Sequence, residues 1–105
     1  MLNSFCFKYS LASNCDVGIE SNSRTYFNNN EFNNGFIYGN DYAMSLNVSG
    51  GYGAVGNVFN NVEFRSNDGR GIILTSCQNT VFNSCYFENG GNSIRCMNHC
   101  TIALN

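Results

Sequence analysis

The chain contains no proline and has few charged residues. Its 105 residues include five Lys or Arg and seven Asp or Glu, for a formal net charge of −2. Nucleic-acid binding needs clustered Lys and Arg to neutralise phosphates, so this composition excludes a nucleic-acid partner. No apolar run is long enough to span a membrane, and residues 1–10 carry no sustained hydrophobic segment that would indicate a signal peptide. We therefore expect no membrane partner and no export signal within this chain.

Asparagine is the residue in excess. The sequence has twenty Asn and eleven Gly, and 43% of its residues are hydrophobic. Asn and Gly both tolerate positive φ and are typical of turns, whereas an Asn-rich polar tract prone to β aggregation is the alternative. The Asn residues alternate in register with Phe, Val, Ile and Leu, which favours short strands separated by tight turns in one domain, residues 1–105.

A six-residue phrase occurs four times, at 2–7, 27–32, 59–64 and 82–87. Each copy has a large apolar residue, then Asn, then a polar residue, and ends in Phe. The starts lie 25, 32 and 23 residues apart, which is the period of a solenoid. The sequence therefore predicts an all-β repeat fold.

The last full repeat gives the template of three short strands, at 71–74, 80–82 and 85–87. Upstream, the template predicts strands at 18–20, 25–27 and 30–32, then at 44–46, 57–59 and 62–64. Stacked repeats would place equivalent residues roughly 4.8 Å apart, with Phe7, Phe32, Phe64 and Phe87 in one column. The predicted inward residues are Met1, Phe5, Phe7, Ile19, Tyr26, Phe32, Met44, Leu46, Val58, Val62, Phe64, Ile72, Leu74, Val81, Cys85, Phe87, Ile94, Cys96 and Ile102.

The Asn of each phrase is predicted to form a corner after the second strand. Asn3, Asn28, Asn60 and Asn83 recur there, and Asn can adopt the left-handed conformation that a sharp bend requires. Its amide can also bond the equivalent amide in neighbouring repeats, which gives a ladder.

Residues 71–83, Gly-Ile-Ile-Leu-Thr-Ser-Cys-Gln-Asn-Thr-Val-Phe-Asn, resemble the repeat of the pectate-lyase-like superfamily. That pattern is Gly-Ile-x-Leu, a polar bend, Asn-Thr-Ile, then Asn-Asn and Phe, and the resemblance is strongest over residues 56–105. It implies a right-handed parallel β-helix of about four turns with three short strands per turn. It also implies that polysaccharide is held beside the first strand, and fold analogy favours an extracellular or virion-associated protein.

The flank of the first strand supplies the candidate catalytic residues. The predicted loops there are 8–17, 33–43, 65–70 and 88–93, together with an expanded bend at 47–56. Asp41, Asp68 and Arg70 could perform acid/base work or place carboxylates on Ca²⁺ beside an Arg base. Alternatively, Asp68 between Asn67 and Gly69 simply forms a turn.

The superfamily's two active-site signatures are absent. The outward positions of the first strand are Glu20, Ser45, Ile73 and Arg95 rather than several Asp, and the one histidine, His99, has no flanking Gly. We therefore expect no catalysis from this chain alone; were it an enzyme, it would be a polysaccharide lyase or glycoside hydrolase.

Non-catalytic glycan binding requires only flat rings and hydrogen-bonding groups. Tyr38, Tyr42 and Tyr52 in the loops, with Glu20 and Arg95 on the first strand, are the predicted substrate-binding residues. The alternative is that these tyrosines pack over the flank of the solenoid.

Six cysteines leave the thiol chemistry open. Cys77, Cys96, His99 and Cys100 could bind zinc, but they lack a paired Cys-x-x-Cys, so no metal site is predicted. A Cys77–Cys100 disulfide, a Cys6–Cys15 disulfide and a nucleophilic Cys100 beside His99 are alternatives to free thiols.

Two functional classes follow. The first is a carbohydrate-directed module that binds polysaccharide or belongs to a polysaccharide lyase, a hydrolase or a phage tail spike. The second is a structural or self-assembling solenoid. Neither end of the sequence carries a cap, so we expect either a longer parent chain or end-to-end association.

Overall fold

The computed structural model describes residues 2–3, 6–7, 11–13, 16–21, 26–47, 54–65, 70–88 and 94–105. Within these residues the chain is all-β and contains no helix. The described residues accordingly include no helix that could cross a membrane.

Strands are numbered β1 to β17 along the chain, and every pairing between them is parallel. Sheet I contains β4 (Val17–Ser21), β8 (Tyr42–Asn47), β12 (Arg70–Thr75) and β16 (Ile94–Met97). Sheet II contains β2 (Cys6–Phe7), β6 (Glu31–Asn33), β10 (Val58–Asn60), β14 (Thr80–Asn83) and β17 (Ile102–Leu104). Sheet III contains β3 (Leu11–Ser13), β7 (Phe36–Tyr38), β11 (Glu63–Arg65) and β15 (Tyr86–Glu88). Two corner pairs join β1 (Leu2–Asn3) to β5 (Phe27–Asn28), and β9 (Ala54–Val55) to β13 (Cys77–Gln78).

The chain visits the sheets in a repeating order. From β4 to β15 it passes through sheet I, a corner pair, sheet II and sheet III, and then returns to sheet I. Parallel strands require such crossovers, because a tight hairpin can join only antiparallel neighbours. The all-β, parallel arrangement is compatible with a β-solenoid. The three-strand template did not include the corner pairs, which add a short strand between sheets I and II.

The register of sheet II shows that the four phrases do not share one phase. Phe32 pairs with Phe59, and Phe59 pairs with Phe82, whereas Phe27 lies in a corner pair opposite Leu2. The predicted equivalence of Phe27 with Phe59 is therefore wrong. Residues 27–32 and 32–37 both begin with Phe-Asn-Asn, although the second stretch ends in Ile37 rather than Phe. Pairing with Phe59 selects the second stretch.

Two aromatic columns fill the interior. The rings of Phe32 and Phe59 stack at 4.7 Å between centroids, and those of Phe59 and Phe82 stack at 5.1 Å. Phe64 and Phe87 stack at 5.4 Å in the second column, which meets the first edge-on, as at 5.8 Å between Phe59 and Phe64. The predicted single column of Phe7, Phe32, Phe64 and Phe87 is wrong because Phe32 belongs to sheet II and Phe64 to sheet III.

The inward face of sheet I is confirmed except at Cys96, which is exposed. Met44, Leu46, Ile72 and Leu74 are buried, and Ile19 and Ile94 pack against this core. At sheet III, Phe64 and the preceding Val62 are buried as predicted, and the half-buried Phe87 and Cys85 pack beside them. Met1 and Phe5 lie outside the described residues.

The second strand was predicted with its faces exchanged. Phe59 and Phe82 are buried in place of Val58 and Val81, which are half-buried. A shift of one residue moves every side chain of a strand to the opposite face. Other predicted inward residues are also exposed, and further buried ones were missed. Tyr26, Cys96 and Ile102 are exposed, and Phe27, Ile37, Ala43, Ala54 and Cys77 are buried.

An asparagine ladder runs along the edge of sheet II. Asn60 Nδ2 donates to Asn33 Oδ1, Asn83 Nδ2 to Asn60 Oδ1, and Asn105 Nδ2 to Asn83 Oδ1, each at 2.8 Å. The predicted ladder is thus confirmed at Asn60 and Asn83. Asn28 is not part of it; its Oδ1 accepts instead from the Val55 backbone N–H at 2.8 Å.

The sharp bend falls one residue later than predicted. The residues after the ladder, Asn34, Asn61 and Ser84, have φ between 51° and 56°. These are left-handed conformations, which Asn tolerates because its short polar side chain bonds locally. The ladder residues themselves end the strands in extended conformation, so one Asn forms the ladder and its neighbour makes the corner.

A second amide pair lies inside the core. Asn57 is fully buried, and its Oδ1 accepts from the backbone N–H of Asn30 at 3.1 Å and from Asn30 Nδ2 at 2.9 Å. Asn57 Nδ2 donates to the Phe27 carbonyl at 2.6 Å. Burying an amide is costly unless it is hydrogen-bonded, and here both ends of the Asn57 side chain are satisfied.

The exchanged faces of β10 can be tested by two substitutions. We expect Phe59→Ala to lower the free energy of unfolding by about 3–5 kcal/mol, because it removes the central ring of the stacked column. We expect Val58→Ala to cost about 1 kcal/mol or less, since a half-exposed side chain leaves no large cavity. Urea unfolding measures both changes; a larger loss for Val58→Ala would contradict this register.

The buried amide pair predicts a pH-dependent variant. In Asn57→Asp the oxygen that replaces Nδ2 faces the Phe27 carbonyl, so the folded state favours the protonated acid and raises the pKa of the introduced carboxyl. Stability should therefore fall as pH rises above about 4, by up to about 1.4 kcal/mol per pH unit.

Urea unfolding between pH 3 and 8 measures this dependence. Asn34→Asp is the matched control, because Asn34 is exposed and its Oδ1 only accepts a bond from Asn61. Equal pH slopes for the two variants would show that Asn57 is not held as described.

Candidate functional site on the outer face of sheet III

The predicted outward column of sheet I is confirmed in register. Glu20 pairs with Ser45, Ser45 with Ile73, and Ile73 with Arg95. Glu20 and Arg95 are exposed but lie three strand spacings apart, roughly 14 Å. These two predicted binding residues therefore do not form one compact site.

The predicted catalytic group is only partly described. Asp41 is exposed just before β8, and the half-buried Tyr42 pairs with Arg70 of β12. The Tyr42 backbone N–H donates to the Asp16 carbonyl at 2.9 Å. Asp16 and Asp41 therefore lie beside each other, each just before one of the paired strands β4 and β8. Asp68 and Tyr52 lie outside the described residues, so the roles of Asp41, Asp68 and Arg70 stay predictions. Within the described ranges, no three acidic, His or Cys side chains are grouped to hold a metal ion.

The loops predicted upstream are shorter than expected. The proposed loop at 33–43 contains β7, and that at 8–17 contains β3, so both predictions are wrong. The phase error had assigned one strand of each repeat to a loop. The expanded bend after β8 is confirmed, because six residues separate Asn47 from Ala54 where one separates their partners Thr75 and Cys77.

Sheet III carries an exposed surface that we call the aromatic face. The pairing aligns Phe36, Glu63 and Tyr86 in one outward column and Tyr38, Arg65 and Glu88 in the next. Phe36 is 50% exposed, and Tyr38 and Tyr86 are each 49% exposed. Of these residues, only Tyr38 was among the predicted binding residues.

The aromatic face lies on the outer side of the strands whose inward residues form the second aromatic column. Each outward pair flanks one inward residue, so that Ile37, Phe64 and Phe87 anchor the strands while their neighbours point to solvent. This alternation is the normal pattern of a half-buried strand. The sequence signal was present: in 33–38, 60–65 and 83–88 an Asn followed by Asn or Ser precedes the apolar anchor at a fixed distance.

The charged groups of the aromatic face interact with one another. Arg65 Nη1 lies 3.4 Å from Glu63 Oε2, and Arg65 Cζ lies 6.0 Å from the centroid of the Tyr86 ring. The Tyr86 hydroxyl donates to Glu88 Oε2 at 2.5 Å, and this hydrogen bond raises the pKa of Tyr86. The face therefore offers flat rings bordered by groups that donate and accept hydrogen bonds, which suits sugar rings and their hydroxyls.

The four cysteines whose side chains the structure describes, Cys77, Cys85, Cys96 and Cys100, are free thiols. Burial raises the pKa of Cys77 to about 12 and also raises the pKa of Cys85. Slight desolvation together with the neighbouring Cys100 thiol raises the pKa of the exposed Cys96. A raised thiol pKa opposes a nucleophilic role at neutral pH, since the thiolate is the reactive form. Cys6 has no described side chain and Cys15 lies outside the described residues, so a pair between them stays a prediction.

A comparison with known proteins gives one partial similarity. The chain is 39% identical over 77 residues to the Mu-like prophage FluMu defective tail fiber protein of Haemophilus influenzae. The matched region covers 73% of this chain but 12% of that protein, so the chain corresponds to a small part of it. No family model matches the chain, and no solved structure matches it. The similarity is compatible with a phage tail-associated role and says nothing about carbohydrate specificity.

The Tyr86–Glu88 contact predicts a shifted titration. We expect the pKa of the Tyr86 phenol to lie above its ordinary value and to fall in Glu88→Gln, because a neutral amide opposes phenolate formation less than a carboxylate. ¹³C-labelled tyrosine followed by NMR against pH measures it. Glu31→Gln, on sheet II, is the control and should leave Tyr86 unchanged; an unaltered pKa in Glu88→Gln would contradict the contact.

Proposed function

We propose that this chain is a right-handed parallel β-helix segment, of the pectate-lyase-like kind, that binds cell-surface polysaccharide as part of a phage tail protein. Three findings support the proposal. The described strands form parallel sheets visited in a repeating order, the chain is similar to part of a prophage tail fiber protein, and sheet III exposes an aromatic face.

The aromatic face is the observation that carries the binding proposal. Phe36 and Tyr86 share one outward column with Glu63 between them, so their strands lie two spacings apart, roughly 9.6 Å. Exposed aromatic rings bury large apolar area while keeping a polar edge. A glycan lying along the column would contact both rings and meet the polar groups of β11 between them.

The charges of the aromatic face favour a neutral glycan. Two carboxylates, Glu63 and Glu88, accompany one cation, and Arg65 already contacts Glu63 and the Tyr86 ring. The net negative charge of these residues would repel an acidic polysaccharide, and Arg65, their one cation, is already engaged. A chain of uncharged sugars would meet no such repulsion and could use the carboxylates as hydrogen-bond acceptors.

The proposed site differs from the one that the superfamily resemblance implied. The outward positions of sheet I include Ser45 and Ile73, which provide neither an aromatic surface nor acid/base groups. Sheet III immediately precedes sheet I in each repeat. Tyr38 is part of the aromatic face and is also one of the binding residues predicted from the sequence. We propose binding without catalysis by this chain, and we keep Asp41, Asp68 and Arg70 as the catalytic hypothesis.

A structural role is the second candidate. Among the described strands, β16 and β17 each form one edge of sheets I and II, and they expose Met97 at 38%, Ile102 at 38% and Leu104 at 60%. Apolar side chains beside an unpaired strand edge can recruit another strand. A module whose purpose is assembly would use this edge and would show no affinity for sugars.

Binding to immobilised cell-surface polysaccharides, neutral and acidic, tests the first proposal. We expect Phe36→Ala and Tyr86→Ala each to weaken binding to a neutral glycan about tenfold, equivalent to about 1.4 kcal/mol. Tyr26→Ala is the matched control, because Tyr26 is 37% exposed but lies before β5, away from sheet III.

Two outcomes would overturn the proposal. Binding to none of the polysaccharides, with or without Ca²⁺, would favour the structural role. Binding that both sheet III variants leave unchanged would place the site elsewhere, and loss of polysaccharide turnover in Asp41→Ala would then favour the catalytic hypothesis.

A further inference from the structure

Two thiols meet inside the fold where sheet I leads into sheet II. Cys77 lies in β13 and is fully buried, whereas Cys100 lies just before β17 and is half-buried against the core. The Cys77 backbone N–H points at Cys100 Sγ, at 3.5 Å. Cys100 Sγ also lies 3.2 Å from the Leu74 carbonyl. It is therefore directed toward β12 and β13, the strands that contain Leu74 and Cys77.

Backbone hydrogen bonds hold the two segments together on both sides of the thiols. The Ser76 N–H donates to the Met97 carbonyl at 2.9 Å, and the Thr101 N–H donates to the Cys77 carbonyl at 3.0 Å. Neighbouring parallel strands lie about 4.8 Å apart, which falls within the Cα separation of about 4.4–6.8 Å that a disulfide spans. The segments therefore need little backbone movement to be bridged.

We propose that Cys77 and Cys100 form a disulfide when the protein encounters a low-molecular-weight disulfide oxidant such as glutathione disulfide. The more accessible Cys100 thiolate attacks the oxidant and forms a mixed disulfide, releasing one glutathione thiolate. The Cys77 thiolate then attacks the Cys100 sulfur and releases the second glutathione. Two cysteine thiols are oxidised and one glutathione disulfide is reduced to two thiols.

The buried partner sets the rate of closure. Burial and the neighbouring Cys100 thiol raise the pKa of Cys77 to about 12, so little of it is thiolate at neutral pH. Exchange requires the thiolate. Closure should therefore be slow at pH 7 and accelerate as pH rises toward 9, while the mixed disulfide accumulates first.

The bond would secure the segment that precedes β17. It would close a loop from Cys77 to Cys100 and link the segment before β17 covalently to β13. A disulfide stabilises mainly by restricting the unfolded chain. A chain synthesised in reducing surroundings would thus gain stability after release into an oxidising medium.

Cys96 is the competing partner. It is exposed, and its thiol contacts that of Cys100, which contributes to its raised pKa. A Cys96–Cys100 bond would link residues within one segment and would not join β13 to the next level. The two pairings therefore differ in their effect on stability.

Disulfide mapping by mass spectrometry after incubation with glutathione disulfide tests the proposal. The protein carries Cys6→Ser and Cys15→Ser so that those thiols do not interfere. We expect a Cys77–Cys100 cross-link and a rise of several degrees in the melting temperature, reversed by dithiothreitol. Adding Cys96→Ser should preserve both the cross-link and the rise, whereas adding Cys100→Ser should abolish both.

Three results would overturn the proposal. They are a Cys96–Cys100 cross-link, glutathione adducts without any cross-link, and a cross-link that leaves the melting temperature unchanged. The mapping needs no substitution at Cys77 or Cys100, so it remains decisive even if Cys100→Ser folds poorly.

Discussion

In-register stacking of parallel strands is the constraint on which the rest of this structure depends. Each residue lies about 4.8 Å from its equivalent in the neighbouring strand. A column of such residues is therefore stable only if neighbouring side chains pack or hydrogen-bond favourably with each other. Phe32, Phe59 and Phe82 stack ring on ring, and Asn33, Asn60 and Asn83 bond amide to amide. An amide is both donor and acceptor, so the ladder can continue in either direction without an unsatisfied group.

The sequence predicted the strands best where each phrase stands alone. Residues 71–88 contain one copy, and the inward residues Ile72, Leu74 and Phe87 follow from alternation. In residues 27–37 the opening Phe-Asn-Asn occurs twice, at Phe27 and at Phe32, and this local pattern cannot choose between the two as the equivalent of Phe59. The choice depends on the neighbouring strand: Phe32 stacks on Phe59 at 4.7 Å, with rings within 7° of parallel.

The same ambiguity explains why the candidate site was not predicted. The predicted loop at 33–43 leaves Phe36 and Tyr38 without strand partners, so the columns that join them to β11 and β15 do not follow from the sequence. The corner pairs were missed for a related reason. A two-residue strand such as Ala54–Val55 is too short to show alternation, and its pairing with Cys77–Gln78 defines it.

The outer columns of sheet III obey a different rule from the inner ones. The inner columns place apolar residues next to apolar residues. The outer columns mix residue types: one contains Tyr38, Arg65 and Glu88, and the next contains Phe36, Glu63 and Tyr86. Like charges at a strand spacing would repel, and this order keeps the two carboxylates in different columns, with Arg65 beside Glu63 and Glu88 bonded to Tyr86. Because these charges balance one another locally, the exposed rings supply the apolar contact area for a ligand, and the carboxylates beside them add hydrogen-bond acceptors.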